Sequence, residues 1–186
     1  MAPINEQLFF WLYSFAHQSV ISDNLIIFFA STLPILLLII IIIATLVIGF
    51  RKQIHSHKLI CLHCYEVFFT IIGVSLFARL IAEVVKVLVH ASRPFVIFAG
   101  QVKPLVSERM FDSFPSGHAT LFFALALGVY GYNRKWGIVM FIIAFIISIS
   151  RVVAGVHYPI DILAGALLGL FISGIILVMD KSVVFS

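Results

Sequence analysis

Lys86-x6-Arg93-Pro94, Pro115-Ser116-Gly117-His118 and Ser150-Arg151-x5-His157-x3-Asp161 are the runs whose residue types could do chemistry together. Lys86, Arg93 and Arg151 are cations set close to long apolar stretches. Charge at membrane depth is costly and marks a function. Like charges repel unless an anion sits among them, and arginine forks and a lysine point charge suit phosphate oxygens. Ser116 is the expected N-cap of a helix that Gly117 and His118 open. Free N–H groups and the positive dipole end favour an anion there, and glycine lets the backbone approach a ligand closely.

The histidines add a reaction. His157 precedes Asp161 by four residues, and Pro159 fits the first position of a helix. Asp161 then lies in the first turn and can reach back to His157. A carboxylate on one ring nitrogen fixes the tautomer and leaves the other as a nucleophile. His118 is then the group that protonates the leaving oxygen and later activates water. This scheme requires no metal or other cofactor, because the cations and helix N–H groups hold the charge that develops on the phosphoryl oxygens.

The elements that must position these residues are membrane spans. Hydrophobic residues make up 62% of the 186 and charged residues 11%, with a mean hydropathy of +1.18. Each span needs ~20 residues, so the chain reads as a single all-α domain over 1–186, an integral membrane bundle of five spans. Those are Leu25–Phe50, Leu59 to about His90, Gly117–Tyr132, Trp136 to about Val153 and Pro159–Met179. Residues 4–21 mix aromatic and polar side chains and read as an amphipathic helix in the interface, with a short sixth span as the alternative. No signal peptide is expected, since Asn5 and Glu6 stand where a basic region would be. The topology brings all three clusters to one membrane face.

Net charge is +4. The basic residues lie between apolar runs, which points to membrane orientation and anionic ligands and away from nucleic acid. One side holds Arg51, Lys52, Lys58, Arg134, Lys135 and Lys181, and the other Lys86, Arg93, Lys103, Arg109 and Arg151. With Lys86, Arg93 and Arg151 assigned to a ligand, only Lys103 and Arg109 remain as loop charges. The positive-inside rule then puts the 94–115 connection, and the site, on the extracytoplasmic side.

These clusters resemble the signature of the type 2 phosphatidic acid phosphatase (PAP2) superfamily over residues 86–161. The resemblance implies His157 as a nucleophile forming a phosphohistidine, Asp161 as its partner and His118 as acid and base. It implies Lys86, Arg93, Ser116, Gly117 and Arg151 as phosphate ligands. Size and topology are similar to the small bacterial members that act on undecaprenyl diphosphate. The expected function is therefore lipid (di)phosphate hydrolysis at the extracytoplasmic face of the plasma membrane, yielding undecaprenyl phosphate and phosphate. Phosphatidylglycerophosphate, phosphatidic acid and lipid A are the alternative substrates, and phosphotransfer to a lipid acceptor is the alternative reaction. From another class, a non-catalytic lipid transporter or binder is disfavoured by the intact His118, His157 and Asp161.

Other polar residues read more plainly. Arg79 and Glu83 form an i,i+4 pair, with Glu83 able to steady Lys86. Gly165 and Gly169 serve helix packing within the bundle. Cys61 and Cys64 flank His63 without a second cysteine pair and read as buried small side chains. His17, His55, His57 and His63 read as structural or solvated, and His90 as interfacial. Phe95-Val96-Ile97-Phe98 is expected to dip into the outer leaflet. Lys103, Glu108 and Arg109 read equally as contacts to the leaving group or as loop charges.

Overall fold

The computed structural model describes residues 3–54 and 58–179, with side chains left undescribed at 44–46 and 48–68. His55, His57 and Lys181 lie outside the described residues, as do the side chains of Arg51, Lys52, Lys58, Cys61, His63 and Cys64. The described secondary structure is all helical: α1 Pro3–Tyr13, α2 Val20–Ile27, a π turn Phe28–Thr32, α3 Leu33–Ile54, α4 Lys58–Val89, α5 Pro94–Ile97, α6 Gly117–Tyr132, α7 Arg134–Val153 and α8 Pro159–Met179. Among the described residues, Val20–Ile43, Arg134–Val153 and Pro159–Met179 are each long and apolar enough to cross a membrane.

The first expected helix is split. Residues 4–21 do not run as one helix: α1 ends at Tyr13, and a turn with His17 at φ 61° precedes Ser19. Ser19 then starts α2 with a reciprocal cap, its hydroxyl accepting from the Ser22 N–H while Ser22 Oγ accepts from the Ser19 N–H. That start lies before Leu25, so the first apolar helix is longer than its hydropathy suggests. Its π turn also has a chemical cause. Pro34 has no N–H, so the Ala30 carbonyl four residues earlier lacks its usual helical donor.

The starts of α6 and α8 coincide with those read from Ser116-Gly117 and Pro159. One residue, Asn133, ends α6 and caps α7, its Oδ1 accepting from the Trp136 N–H at 3.1 Å. Around α6 lies the main core: Ile71, Leu121, Phe122, Leu125, Ala144 and Ile147, with Leu33, Leu37, Leu38 and Ile41 of α3 packed against it. Outward faces are also apolar, as at Ile142, Phe145, Leu163, Leu167 and Phe171. That pattern suits hydrocarbon surroundings, not water.

Gly165 and Gly169 bring α8 against α6. A Cβ on Gly165 would stand 2.4 Å from the Ser116 carbonyl oxygen, and one on Gly169 2.3 Å from that of Thr120. The glycine pair therefore serves packing inside the bundle. A second cluster, Phe9, Val102, Val152 and Tyr158, ties α1 and the 98–116 connection over the end of α7. Phe95 and Phe98 pack into this cluster, and of Phe95–Phe98 only Ile97 is exposed. This narrows the expectation for that segment, because the Phe98 ring sits against Phe9 and Phe10 of α1. An apolar groove of about 500 Å³ lies between α2, the π turn and α7, lined by Leu25, Phe29, Phe145, Ile149, Ser150 and Val153.

Candidate active site

Helices α4 and α7 run toward one end of the bundle, and α6 and α8 start there. This antiparallel order gathers Lys86, Arg151, Ser116, Gly117, His118 and Asp161 at that end. Arg93 joins them as the residue before α5. The turn after α7 delivers His157: Gly155 adopts φ 78°, which glycine takes without steric penalty, and the Val156 N–H returns to the Arg151 carbonyl at 3.2 Å.

Arg93 and Arg151 are almost fully buried and aimed by backbone oxygens. Arg93 Nη1 donates to the Val156 carbonyl at 2.9 Å and lies 3.3 Å from His157 Nε2. Arg151 Nη1 donates to the Ala30 carbonyl at 3.1 Å, the oxygen that Pro34 leaves free. Their other ends meet on Glu108: Arg93 Nη2 lies 3.3 Å from Oε2, and Arg151 Nη2 donates to Oε1. Lys86 Nζ donates to Glu83 Oε1 at 2.9 Å, and Arg79 Nη2 lies 3.0 Å from the same oxygen. The pairing of Glu83 with both cations agrees with its i,i+3 and i,i+4 spacing. The charges of Lys86, Arg93 and Arg151 all bear on both His118 and His157.

Asp161 is fixed by its own first turn and by the connection. Its Oδ2 accepts from Ser113 Oγ at 2.6 Å and from the Tyr158 N–H at 2.8 Å. His157 Nδ1 is 3.5 Å from Oδ2 and has no hydrogen-bond partner. The pair is thus an electrostatic contact at a distance that one small ring movement would close. His157 is 1% exposed. Burial first, then the charges of Arg93 and Arg151, hold its imidazole well below the ordinary histidine range. It is neutral at physiological pH.

Ser116 and Gly117 shape the start of α6. The Ser116 N–H donates to the Asp161 carbonyl at 3.0 Å, and its hydroxyl accepts from the Ala119 N–H at 3.5 Å. Gly117 lies under Arg79, whose Cζ would be 2.7 Å from an added Cβ. His118 follows, half-buried, in the first turn of α6.

Sequence reasoning left Glu108 between two readings and passed over Ser113, the Ala30 carbonyl and the approach of Arg79 to Gly117. Pro34 was a visible signal for Ala30. Glu108 and Ser113 had none, since they sit in an irregular connection. Burial would raise the Glu108 carboxyl, but the Arg151 and Arg93 guanidiniums hold it below the usual range. Lys103 is held through its backbone: its N–H donates to Tyr13 Oη at 2.9 Å, and its carbonyl lies 2.9 Å from His17 Nε2. Arg109 lies 3.3 Å from Asp112, and His90 stacks on Phe111. No group of three or more His, Cys, Asp or Glu side chains suited to hold a metal occurs among the described residues.

A helical membrane bundle with a buried cationic cradle, two histidines and a carboxylate at one end defines the class, and the comparisons agree. The chain belongs to the PAP2 superfamily, whose pattern it matches over residues 67–183. It is similar to the bacitracin transport permease protein BcrC of Bacillus licheniformis, with 36% identity over 50% of this chain and 45% of that one. The chain thus spans less than half of that relative. It is also similar to the undecaprenyl-diphosphatase BcrC of Bacillus subtilis, with 26% identity over 91% of this chain and 80% of that one. The crystal structure of Aquifex aeolicus LpxE shares the fold, with a TM-score of 0.71, 24% identity and 95% coverage of each chain.

Proposed function

We propose that this chain is a lipid phosphatase of the plasma membrane that hydrolyses undecaprenyl diphosphate to undecaprenyl phosphate and phosphate. The observation that carries the reading is His157 set between Arg93, 3.3 Å from Nε2, and Asp161, 3.5 Å from Nδ1. A guanidinium donates and does not accept, so this contact favours a lone pair on Nε2 and a proton on Nδ1 facing Asp161.

In the proposed reaction the terminal phosphoryl group enters the cradle of Lys86, Arg93 and Arg151, with the Ser116–Gly117 helix start beside it. Nε2 of His157 attacks phosphorus, and the bond to the bridging oxygen breaks. His118 gives its proton to that leaving oxygen. Asp161 stabilises the positive charge that develops on the imidazole. His118, now neutral, takes a proton from water, the hydroxide attacks phosphorus, and the phosphorus–nitrogen bond breaks. Phosphate leaves, and both histidines return to their starting forms. The cations carry the phosphoryl charge, so the scheme needs no metal ion.

The lipid part of the reading is supported by the apolar exterior and by the apolar groove between α2 and α7. It is further supported by the similarity to a relative named undecaprenyl-diphosphatase. In this reading five spans cross the bilayer: α2 through α3, α4, α6, α7 and α8. Helix α1 lies in the interface, and the site faces the extracytoplasmic side.

The test is phosphate release by the purified chain in the presence of a metal chelator, with undecaprenyl diphosphate, phosphatidylglycerophosphate, phosphatidic acid and lipid A compared by kcat/KM. Undecaprenyl diphosphate should rank first, and His157→Ala should abolish release while keeping the wild-type melting profile. Activity that survives in His157→Ala refutes the nucleophile. A different top substrate refutes the lipid assignment.

A further inference from the structure

An anion already sits in the cationic cradle. The Glu108 carboxylate spans Arg93 and Arg151, one oxygen to each guanidinium. The arginine side chains are 4% and 3% exposed, whereas that of Glu108 is 24% exposed. Each arginine is also anchored from behind, Arg93 by the Val156 carbonyl and Arg151 by the Ala30 carbonyl. The arginines are therefore fixed, and the carboxylate is the member that can leave. Glu108 belongs to the connection between α5 and α6, outside any helix. The cradle is not satisfied by this occupant, because the buried Nε atoms of Arg93 and Arg151 have no hydrogen-bond partner. A carboxylate offers two oxygens, and a terminal phosphate offers three.

An incoming anion must take the Nη2 positions that Glu108 holds, and the contest is set by charge. A monoanion replacing Glu108 exchanges one unit charge for another and must also overcome the local concentration of a tethered group, of order millimolar or more. A dianion gains about twice the attraction to the same cations. Phosphomonoesters and diphosphates carry that extra charge near neutral pH, with a second pKa of about 6. Phosphodiesters, the headgroup linkage of ordinary anionic phospholipids, carry one charge. We propose that Glu108 is a displaceable counter-anion that sets a charge threshold for entry: it yields to terminal phosphates and keeps phosphodiester headgroups out. This specificity role rests on the cradle being the phosphate site of the proposed function.

The experiment is equilibrium binding by calorimetry on the purified full chain, with inorganic phosphate and dimethyl phosphate as probes. The wild type should bind phosphate and show no measurable dimethyl phosphate binding. Glu108→Gln should bind phosphate at least about tenfold more tightly, a difference of about 1.4 kcal/mol, and should bind dimethyl phosphate measurably. Glu108→Asp, whose shorter arm cannot bridge both guanidiniums as well, should tighten phosphate binding by a smaller factor. It carries the test if the glutamine variant does not fold. Unchanged or weaker phosphate binding in the folded variants overturns the proposal, as does wild-type binding of dimethyl phosphate comparable to that of phosphate. Binding is read without turnover, so a chain that shows this pattern yet hydrolyses no lipid phosphate refutes the proposed function and leaves the threshold intact.

Discussion

Arg93 and His157 meet through their side-chain nitrogens, Nη1 lying 3.3 Å from Nε2, with both side chains buried. The contact ties the histidine to its neutral form. The unfolded chain has no such constraint and takes a proton near pH 6.5. Below that pH the unfolded state binds more protons than the native state, so stability falls as pH falls. The expected slope is up to about 1.4 kcal/mol per pH unit below pH 6.5. His157→Gln should remove this contribution. Denaturation midpoints of the two proteins in detergent between pH 7 and pH 5 check this, and parallel curves would contradict it.

Asp161 is held by Ser113 Oγ and by the Tyr158 N–H. Asp161→Asn should therefore keep the fold while removing the charge that stabilises the imidazolium. We expect kcat to fall about 10³- to 10⁴-fold with little change in KM. Steady-state kinetics on a soluble phosphomonoester measures both. A rise in KM at constant kcat would mean that Asp161 serves binding instead.

Arg151 uses two different nitrogens, one on the Ala30 carbonyl and one on Glu108. Lysine keeps the charge but cannot reproduce that fork. Arg151→Lys should lower kcat/KM by about 10- to 100-fold, the loss of one charge-assisted hydrogen bond of about 1.5–3 kcal/mol. Full activity in this variant would show that charge alone suffices.

Gly165 lets α8 lie against the Ser116 carbonyl, where an added Cβ would fall 2.4 Å from backbone oxygen. Backbone cannot rotate aside. Gly165→Ala should cost about 1–3 kcal/mol of stability and disturb the start of α6. Gly174→Ala should be close to neutral, since the nearest atom to its added Cβ is a leucine methyl at 3.9 Å. Thermal melts of the two variants make the comparison, and equal effects would count against the packing argument.

The legible parts of this molecule are those where a local rule has one outcome. Ser116 before Gly117 and Pro159 before Asp161 mark helix starts, and the structure begins α6 and α8 there. Arg79, Glu83 and Lys86 share one face of a helix by spacing alone, and they pair as spacing requires. The clusters could be assembled because antiparallel spans alternate ends. Glu108 was not legible, because its partners lie 15 and 43 residues away and its own segment has no period. Ser113 was hidden for the same reason. The break between α1 and α2 was obscured by hydropathy, which reads the aromatic residues of 4–21 as continuous and does not register the Ser19 cap.

The π turn at Phe28–Thr32 also sets an angular phase. Each residue of an α-helix advances the side chains by about 100°, and a π turn accommodates an extra residue without breaking the helix. Leu33, Leu37, Leu38 and Ile41 face the core because of where that turn leaves the helix. Were these residues wound at ordinary pitch with the chain length unchanged, that stripe would turn away from the core by about one residue's step. The helix would remain equally hydrophobic and long enough to span, so hydropathy would not detect the change. The Ala30 carbonyl would lose its aim at Arg151, so the register of an apolar helix is part of how the cradle is built.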